Sequence, residues 1–302
     1  MVKYNDVTNA IGNTPLVRLN RLSPEGSSVY VKLEGKNPGG SVKDRAVLYM
    51  VNDAEARGQL QAGGTIIEPT SGNTGIAIAM IAAARGYKAI LVMPDTMSKE
   101  RRAYMAAYGA EFVLTPGSEG MKGAVDKAAE LQKNTPGSII LGQFDNPANI
   151  LAHRYGTGKE ILRDLPDVDA VTAGFGTGGT ASGIAYAFRD AGSKAKVIAI
   201  EPAESQMIGK GTPGPHKIQG IGANFVPRNL DRSVVKDIIS VPSQAALDMA
   251  KNIARTEGLF LGISASANII AAIDYAKAHP GSKVVAIAPD GGDKYVSMGI
   301  YD

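Results

Sequence analysis

Three short segments of the chain place reactive or ligand-binding groups where a helix is about to begin. The first, Asn37-Pro-Gly-Gly-Ser-Val-Lys-Asp-Arg45, delivers Lys43 from a glycine-rich turn into the first turn of a helix. The positive end of the helix dipole and the neighbouring Arg45 both disfavour a charged ammonium there. A lysine with a lowered pKa is what Schiff-base chemistry needs. The same residues also read as an ordinary capping sequence with a solvated lysine. The second segment, Thr70-Ser-Gly-Asn-Thr-Gly75, packs hydroxyls, an amide and glycine N–H groups onto the start of an apolar helix. Such a turn can cradle a carboxylate, or serve only as a Ser/Thr-capped strand-to-helix turn. The third, Gly174-Phe-Gly-Thr-Gly-Gly-Thr180, follows a strand and opens a helix, so its amides can bind a phosphate. It also satisfies G-x-G-x-x-G at Gly174, Gly176 and Gly179, and Glu201 stands about 20 residues on, where a dinucleotide's ribose would be held.

The elements that must carry these segments follow one rhythm. Residues 64–68 predict a strand, 69–75 a turn, 76–85 a buried helix ended by Gly86, and 89–93 a second strand. The unit recurs as a strand over 169–173, a turn over 174–179, a helix over 180–191 and a strand over 196–200. A further strand over 283–288 runs into Pro289-Asp-Gly-Gly. Repeated βαβ units with continuous apolar strands predict an α/β protein with mainly parallel sheets covered on both faces. Ser41 is the expected N-cap of the Lys43 helix and Gly58 its terminator; amphipathic helices are expected over 245–257 and 265–278. Residues 202–227 are rich in Gly and Pro and predict a long loop, and a domain seam is expected near residue 148.

Length and composition narrow the chemistry. The 302 residues suit two domains at about 150 each, or one large α/β unit. Lys plus Arg is 32 against 29 Asp plus Glu, and no dense basic run marks a nucleic-acid face. Cysteine is absent, which excludes a thiolate zinc site and a Cys nucleophile. His153, His216 and His279 are far apart in sequence and predict surface or structural roles rather than a metal site. The apolar run 75–84 is cut by Arg85, well short of the ~20 residues that span a bilayer. The N-terminal MVKYNDVTNA shows no secretory pattern, so a cytoplasmic protein is expected.

The residues alone leave two enzyme classes open. One binds a nicotinamide dinucleotide at the third segment; the other binds a phosphorylated aldehyde cofactor there, with Lys43 as its Schiff base. The second uses all three segments, whereas the first leaves Lys43 and the Ser/Thr/Asn turn idle. A binding module without chemistry explains the glycines but not the lysine. Gly156-Thr-Gly-Lys159 imitates a P-loop, but His153 stands at the first glycine's position and Glu160 replaces the Ser/Thr.

Taken in order, the motifs closely resemble the cysteine synthase (O-acetylserine sulfhydrylase) family of fold type II pyridoxal phosphate enzymes. The resemblance runs from Ile11-Gly-Asn-Thr-Pro-Leu-Val17 through the Lys43 segment, Glu68-Pro-Thr-Ser-Gly-Asn-Thr-Gly75 and Pro94-Asp-Thr-Met-Ser98. It continues with Gln143-Phe-Asp-Asn-Pro-Ala-Asn149, the 174–180 turn, Lys217-Ile-Gln-Gly-Ile-Gly222 and Gly262-Ile-Ser264. It implies a tryptophan synthase β-like fold of two domains: residues 40–148 as a smaller, mobile domain, and 1–39 plus 149–302 as the larger.

The resemblance also implies roles. Lys43 is the Schiff-base lysine and the acid/base for the α-proton. Gly176, Thr177, Gly178, Gly179 and Thr180 form the phosphate cup, Asn73 bonds the cofactor's 3′-oxygen, and Ser264 faces the pyridine nitrogen. Thr70, Ser71, Thr74 and Gln143 hold the substrate carboxylate, and no metal is expected. The implied activity is that of a transferase, making L-cysteine and acetate from O-acetyl-L-serine and sulfide through a Lys43 aldimine and an α-aminoacrylate. The family's neighbours add homocysteine, as cystathionine β-synthase does, or use O-phosphoserine; for the latter, Lys217 and Arg228 are distant candidate cations. The family is typically a homodimer, and many members dock the C-terminal tail of serine acetyltransferase. This chain departs from the family at Ser266 and Asn224, where glycine is common, and in the loosely matched Gly291-Gly-Asp-Lys-Tyr-Val-Ser. Those departures bear on substrate preference and partner binding.

Overall fold

The structure is a computed structural model that describes residues 3–97 and 99–302. Met1 and Val2 of the N-terminal segment, and Ser98 of the Pro94 motif, lie outside the described residues. Two sheets organise the chain. The smaller is built from β3 (Thr65–Pro69), β4 (Lys88–Pro94), β5 (Glu111–Thr115) and β6 (Ser138–Ile140), in the order β5-β4-β3-β6, all parallel. Its strands are apolar on both sides because both faces are covered. Ile66, Leu91 and Met93 pack with helix α2 (Asn73–Arg85), while Ile67 and Val92 pack with α4 (Gly120–Asn134). Ile66, Ile67, Leu91 and Val92 are fully buried, each worth about 1.5–3 kcal/mol relative to exposure.

The larger sheet has the order β1-β2-β10-β7-β8-β9. It contains β1 (Leu16–Arg18), β2 (Ser28–Leu33), β7 (Ala170–Gly174), β8 (Lys196–Pro202), β9 (Asp237–Val241) and β10 (Lys283–Ala288). Only β1 runs antiparallel to its neighbour. One face packs on α8 (Ser243–Glu257) and α9 (Ile263–Ala278); the other packs on α6 (Gly158–Asp164) and α7 (Gly179–Asp190). Helix α1 (Lys43–Ala56) packs on α2 and on the short α5 (Ala148–Ala152), which in turn meets α7. α3 (Lys99–Ala107) lies against α2. Among the described residues, no helix is long and apolar enough to cross a membrane.

The expected elements are present, but four helices begin earlier than periodicity indicated. α2 starts at Asn73 rather than 76, α7 at Gly179, α8 at Ser243 and α9 at Ile263. Polar and glycine residues of the turns supply the first helical turn, which a reading of apolar spacing cannot see. Ser41 is not the N-cap of α1, because it pairs with Asp290 in a β-bridge and leaves Val42 at that position. Its hydroxyl still accepts from the Lys43 N–H at 3.2 Å. Gly86 and Gly58 terminate their helices with φ of 73° and 69°, a region that favours glycine. No strand or helix interrupts the chain between β8 and β9, where the long loop was expected.

Candidate active site

The site forms at the carboxyl ends of β7 and β10, neighbours in the larger sheet, and of β3 in the smaller, whose following segments are joined by the Asn73–Asp290 hydrogen bond; carboxyl ends are the usual ligand position in parallel α/β sheets. β10 anchors Lys43: the Val42 N–H donates to Pro289 O at 2.8 Å, just before α1 begins. Lys43, Gly176, Thr177, Gly178 and Thr180 line one cavity, together with Gly220, Ile221 and Pro289. Burial lowers the Lys43 pKa; Asp290 works against that shift and the Lys294 cation adds to it. The sequence reading credited Arg45, and the structure corrects it. Arg45 is spent in a buried ion network, 2.6 Å from Glu34 and 2.7 Å from Glu160, with Lys32 2.8 Å from Glu160. That network clamps the first turn of α1 to β2 and α6.

The third segment closes over the cavity at the start of α7. Gly178 takes φ +85°, and a Cβ there would meet Leu230 N at 2.5 Å. A Cβ on Gly176 would meet Gly220 O at 2.5 Å. The glycines therefore let bare backbone line the cup. Thr177 Oγ1 accepts from Asn149 Nδ2 at 3.0 Å, and the same Nδ2 donates to Gln143 O at 2.8 Å. One side chain thus ties the cup to the segment carrying Gln143.

The second segment sits opposite. The Thr74 hydroxyl donates to Gln143 Oε1 at 2.7 Å, and Thr70 is buried beside it at the end of β3. Ser71 is half-buried between them. Glu68 holds Gln143 in place by accepting from the N–H groups of Leu141, Gly142 and Gln143 at 3.0, 3.2 and 3.4 Å. Burial pushes Glu68 up to about 7 despite those three donors. Asn73 Nδ2 donates to Asp290 Oδ2 at 2.7 Å, while Lys294 Nζ donates to Asn73 Oδ1 and to Gly40 O, both at 2.9 Å. Asp290 also accepts from Tyr295 OH at 2.7 Å.

Ser264 is buried in the first turn of α9, two residues from Gly262, whose Cα side is filled by the Asp290 carboxylate. The Ser266 hydroxyl turns away onto its own helix, bonding Gly262 O at 3.2 Å. Asn224 accepts from Ser205 Oγ at 3.0 Å, within the loop.

Other candidates stay outside. Glu201 is buried and caps the N–H groups of Ile208 and Gly209 at 3.0 and 3.1 Å, so the acid of the dinucleotide fingerprint is already consumed. Lys217 and Arg228 are exposed. The sequence reading missed Asp290, Lys294 and Asn149 as site residues. Asn149 stands inside a motif used for the family resemblance, Lys294 in the loosely matched 291–297 segment and Asp290 in the turn after the 283–288 strand, but only the fold brings them beside Thr177, Asn73 and Lys43. Among the described residues, no group of three or more His, Cys, Asp and Glu could hold a metal ion.

A family model described as "Pyridoxal-phosphate dependent enzyme" matches residues 7–290. The chain belongs to that family. It is 48% identical over 301 residues to a cysteine synthase of Staphylococcus aureus, covering 98% of this chain and 97% of the relative. Among solved structures it is similar to an O-ureido-L-serine synthase, with a TM-score of 0.96, 47% identity and coverage of 100% and 96% of the two chains. It is also similar to a cysteine synthase of Entamoeba histolytica, with a TM-score of 0.96, 39% identity and coverage of 99% and 91%. Pyridoxal phosphate is therefore the cofactor. The residues present fit it: a glycine cup at a helix N-terminus for the phosphate, and a lysine of lowered pKa on the same cavity.

Proposed function

We propose that the protein makes L-cysteine and acetate from O-acetyl-L-serine and sulfide by β-replacement. The observation that carries this reading is the shared cavity of Lys43 and the glycine cup, with the Thr74–Gln143 turn opposite it. Pyridoxal phosphate, when bound, supplies an electron sink for the charge that develops at the substrate's α-carbon. Lys43 Nζ is the attachment point for the cofactor's aldehyde carbon. It also takes the α-proton from the substrate and returns it to the product, which its lowered pKa suits. The backbone N–H groups of Gly176, Gly178 and Gly179, with the Thr177 and Thr180 hydroxyls, hold the phosphate. Asn73 donates to the 3′-oxygen. Ser264 offers a neutral hydroxyl to the ring nitrogen, which does not enforce its protonation and so favours β-elimination over transamination. Thr70, Ser71, Thr74 and Gln143 grip the substrate carboxylate.

Residues 40–148 then close as a smaller domain over the larger and exclude water. Solution scattering that is identical with and without substrate overturns that motion. The protein works as a cytoplasmic homodimer, and its site accepts the C-terminal tail of a serine acetyltransferase. Lys294, 2.9 Å from Asn73 Oδ1, is a cation that also suits the phosphate leaving group of O-phosphoserine.

The decisive experiment follows the visible absorbance of the purified protein on adding O-acetyl-L-serine and then sulfide. A yellow band that moves to longer wavelength with the ester and returns with sulfide supports the reading. A return only with homocysteine, or a shift only with O-phosphoserine, changes the substrate pair. A protein that stays colourless with pyridoxal phosphate overturns the assignment.

A further inference from the structure

His153 opens a single π-helical turn, His153–Thr157, between α5 and α6. Such turns inside helical segments recur at functional sites. The imidazole is fully enclosed, and its two nitrogens meet two threonines: Nδ1 lies 2.9 Å from Thr157 Oγ1, and Nε2 lies 3.2 Å from Thr180 Oγ1. Thr180 also lines the cofactor cavity, so one residue meets both the ring, through its hydroxyl, and the cup. The approach is built into α7. Gly183 lies three residues from Thr180 on the same helix face, and a Cβ there would meet His153 Cβ at 2.5 Å. Without that Cβ the ring reaches Thr180.

We infer that His153 is a positioning residue for the phosphate cup: its Nε2–H donates to Thr180 Oγ1, so that the Thr180 hydroxyl proton is free to point at the phosphate. The inference rests on the cofactor reading above and extends it. A neutral imidazole carries one N–H, and a threonine has one hydroxyl proton. If Nδ1 carried the ring proton, Nε2 would accept the Thr180 proton, and a bare oxygen lone pair would face the anion. If Nε2 carries it, Thr157 donates to Nδ1 and every proton has an acceptor. Phosphate binding and the histidine tautomer are therefore linked. Burial, the largest cause, holds the ring neutral, which makes the tautomer a two-way choice.

The test is nitrogen NMR of the histidine-labelled holoenzyme. The chain has three histidines, so the His153 resonances are assigned by their loss in His153→Gln. The expected result is the Nε2–H tautomer. A ring protonated at Nδ1, or at both nitrogens, in protein that carries cofactor overturns the inference alone. Protein that takes up no cofactor overturns the functional reading and this inference with it. Reconstitution of the apoprotein gives the second readout. His153→Leu is expected to weaken pyridoxal phosphate binding by about 10- to 100-fold, the range for one hydrogen bond to a charged group. His153→Gln, which retains a donor, restores most of it. Thr180→Ala combined with His153→Leu loses little more than either alone. Unchanged affinity in His153→Leu, or additive losses in the pair, overturns the inference.

Discussion

Lys294 and Asn73 are 221 positions apart in the chain and are joined by a 2.9 Å hydrogen bond. The bond fixes which way the Asn73 amide points. With Oδ1 accepting from Lys294 and one Nδ2 proton given to Asp290, the other Nδ2 proton remains for a ligand. Lys294→Met removes the donor to Asn73 and to Gly40 O together. The expected result is a loss of about 10-fold in kcat/KM with a modest fall in melting temperature, measured on cofactor-saturated protein. Unchanged kinetics would mean that Asn73 is oriented without Lys294.

Lys43→Ala is expected to abolish turnover and the visible band while leaving far-ultraviolet circular dichroism intact. The side chain is a nucleophile held in a site whose burial already disfavours its charge, so removing it relieves desolvation rather than breaking an ion pair. Near-normal turnover in this variant overturns the assignment of Lys43.

The contrast between Lys43 and Lys294 shows what the sequence makes legible. Lys43 lies within a glycine-rich turn before a helix, and local spacing identifies it. The βαβ rhythm and the 174–180 cup are legible for the same reason, since each is a local pattern with a local cause. Lys294 also follows a glycine pair, Gly291-Gly292, at the start of a short helical turn, but nothing local names its partners; it matters because β10 ends beside α1 and α2. Asn149 is likewise unremarkable until α5 sets it against Thr177. Local spacing accounts for the lowered Lys43 pKa only in direction: burial dominates it, and the Arg45 charge is consumed by Glu34 and Glu160. Partners in a buried ion network are set by tertiary packing and leave no spacing signature.

Arg45→Met leaves Glu34 and Glu160 as buried carboxylates without their shared partner. Breaking such a pair costs about 3–5 kcal/mol, so the variant is expected to unfold at markedly lower urea concentration at neutral pH. The pH dependence has a definite sign. Burial raises the Glu160 pKa, but hydrogen bonds and charge from Arg45 and then Lys32 outweigh it and bring it from 4.5 to about 2. Its stabilisation is fully present above 4.5 and is lost as pH falls through about 2. The stability gap between parent and variant is therefore expected to narrow across that window. A gap that stays constant would argue that Glu160 does not depend on Arg45.

Glu68 has the opposite sign. Burial raises its pKa from 4.5 to about 7, so folding favours the protonated acid. That contribution is present below 4.5 and is lost as pH rises through about 7. Urea titrations at pH 6 and 8.5 are expected to show a fall in stability for the parent, with a smaller fall in Glu68→Gln. Because Glu68 also holds the backbone of residues 141–143, the variant is expected to raise the KM for O-acetyl-L-serine several-fold more than it lowers kcat. An equal pH dependence in both proteins would assign the alkaline loss elsewhere, with Asp44, also raised by burial to about 7, as the next group to replace.

Gly179→Ala tests how the cup and the substrate turn are coupled. The added Cβ would strike the Asn149 side-chain amide, whose Nδ2 donates to both Thr177 Oγ1 and Gln143 O. The helix itself tolerates alanine, since Gly179 opens α7 without a positive φ. The expected phenotype is therefore a folded protein with a displaced Asn149. Its Thr177 hydroxyl loses a donor, so cofactor affinity falls, by about 10-fold or more in reconstitution of the apoprotein. Gln143 also loses its tether, so the KM for O-acetyl-L-serine rises even when the cofactor is saturating. Asn149→Ala removes the same two bonds without crowding the cup and is expected to reproduce both effects. If Gly179→Ala lowers cofactor affinity and Asn149→Ala leaves it unchanged, the glycine is needed for close approach of the phosphate alone, and the two halves of the site are not coupled through Asn149.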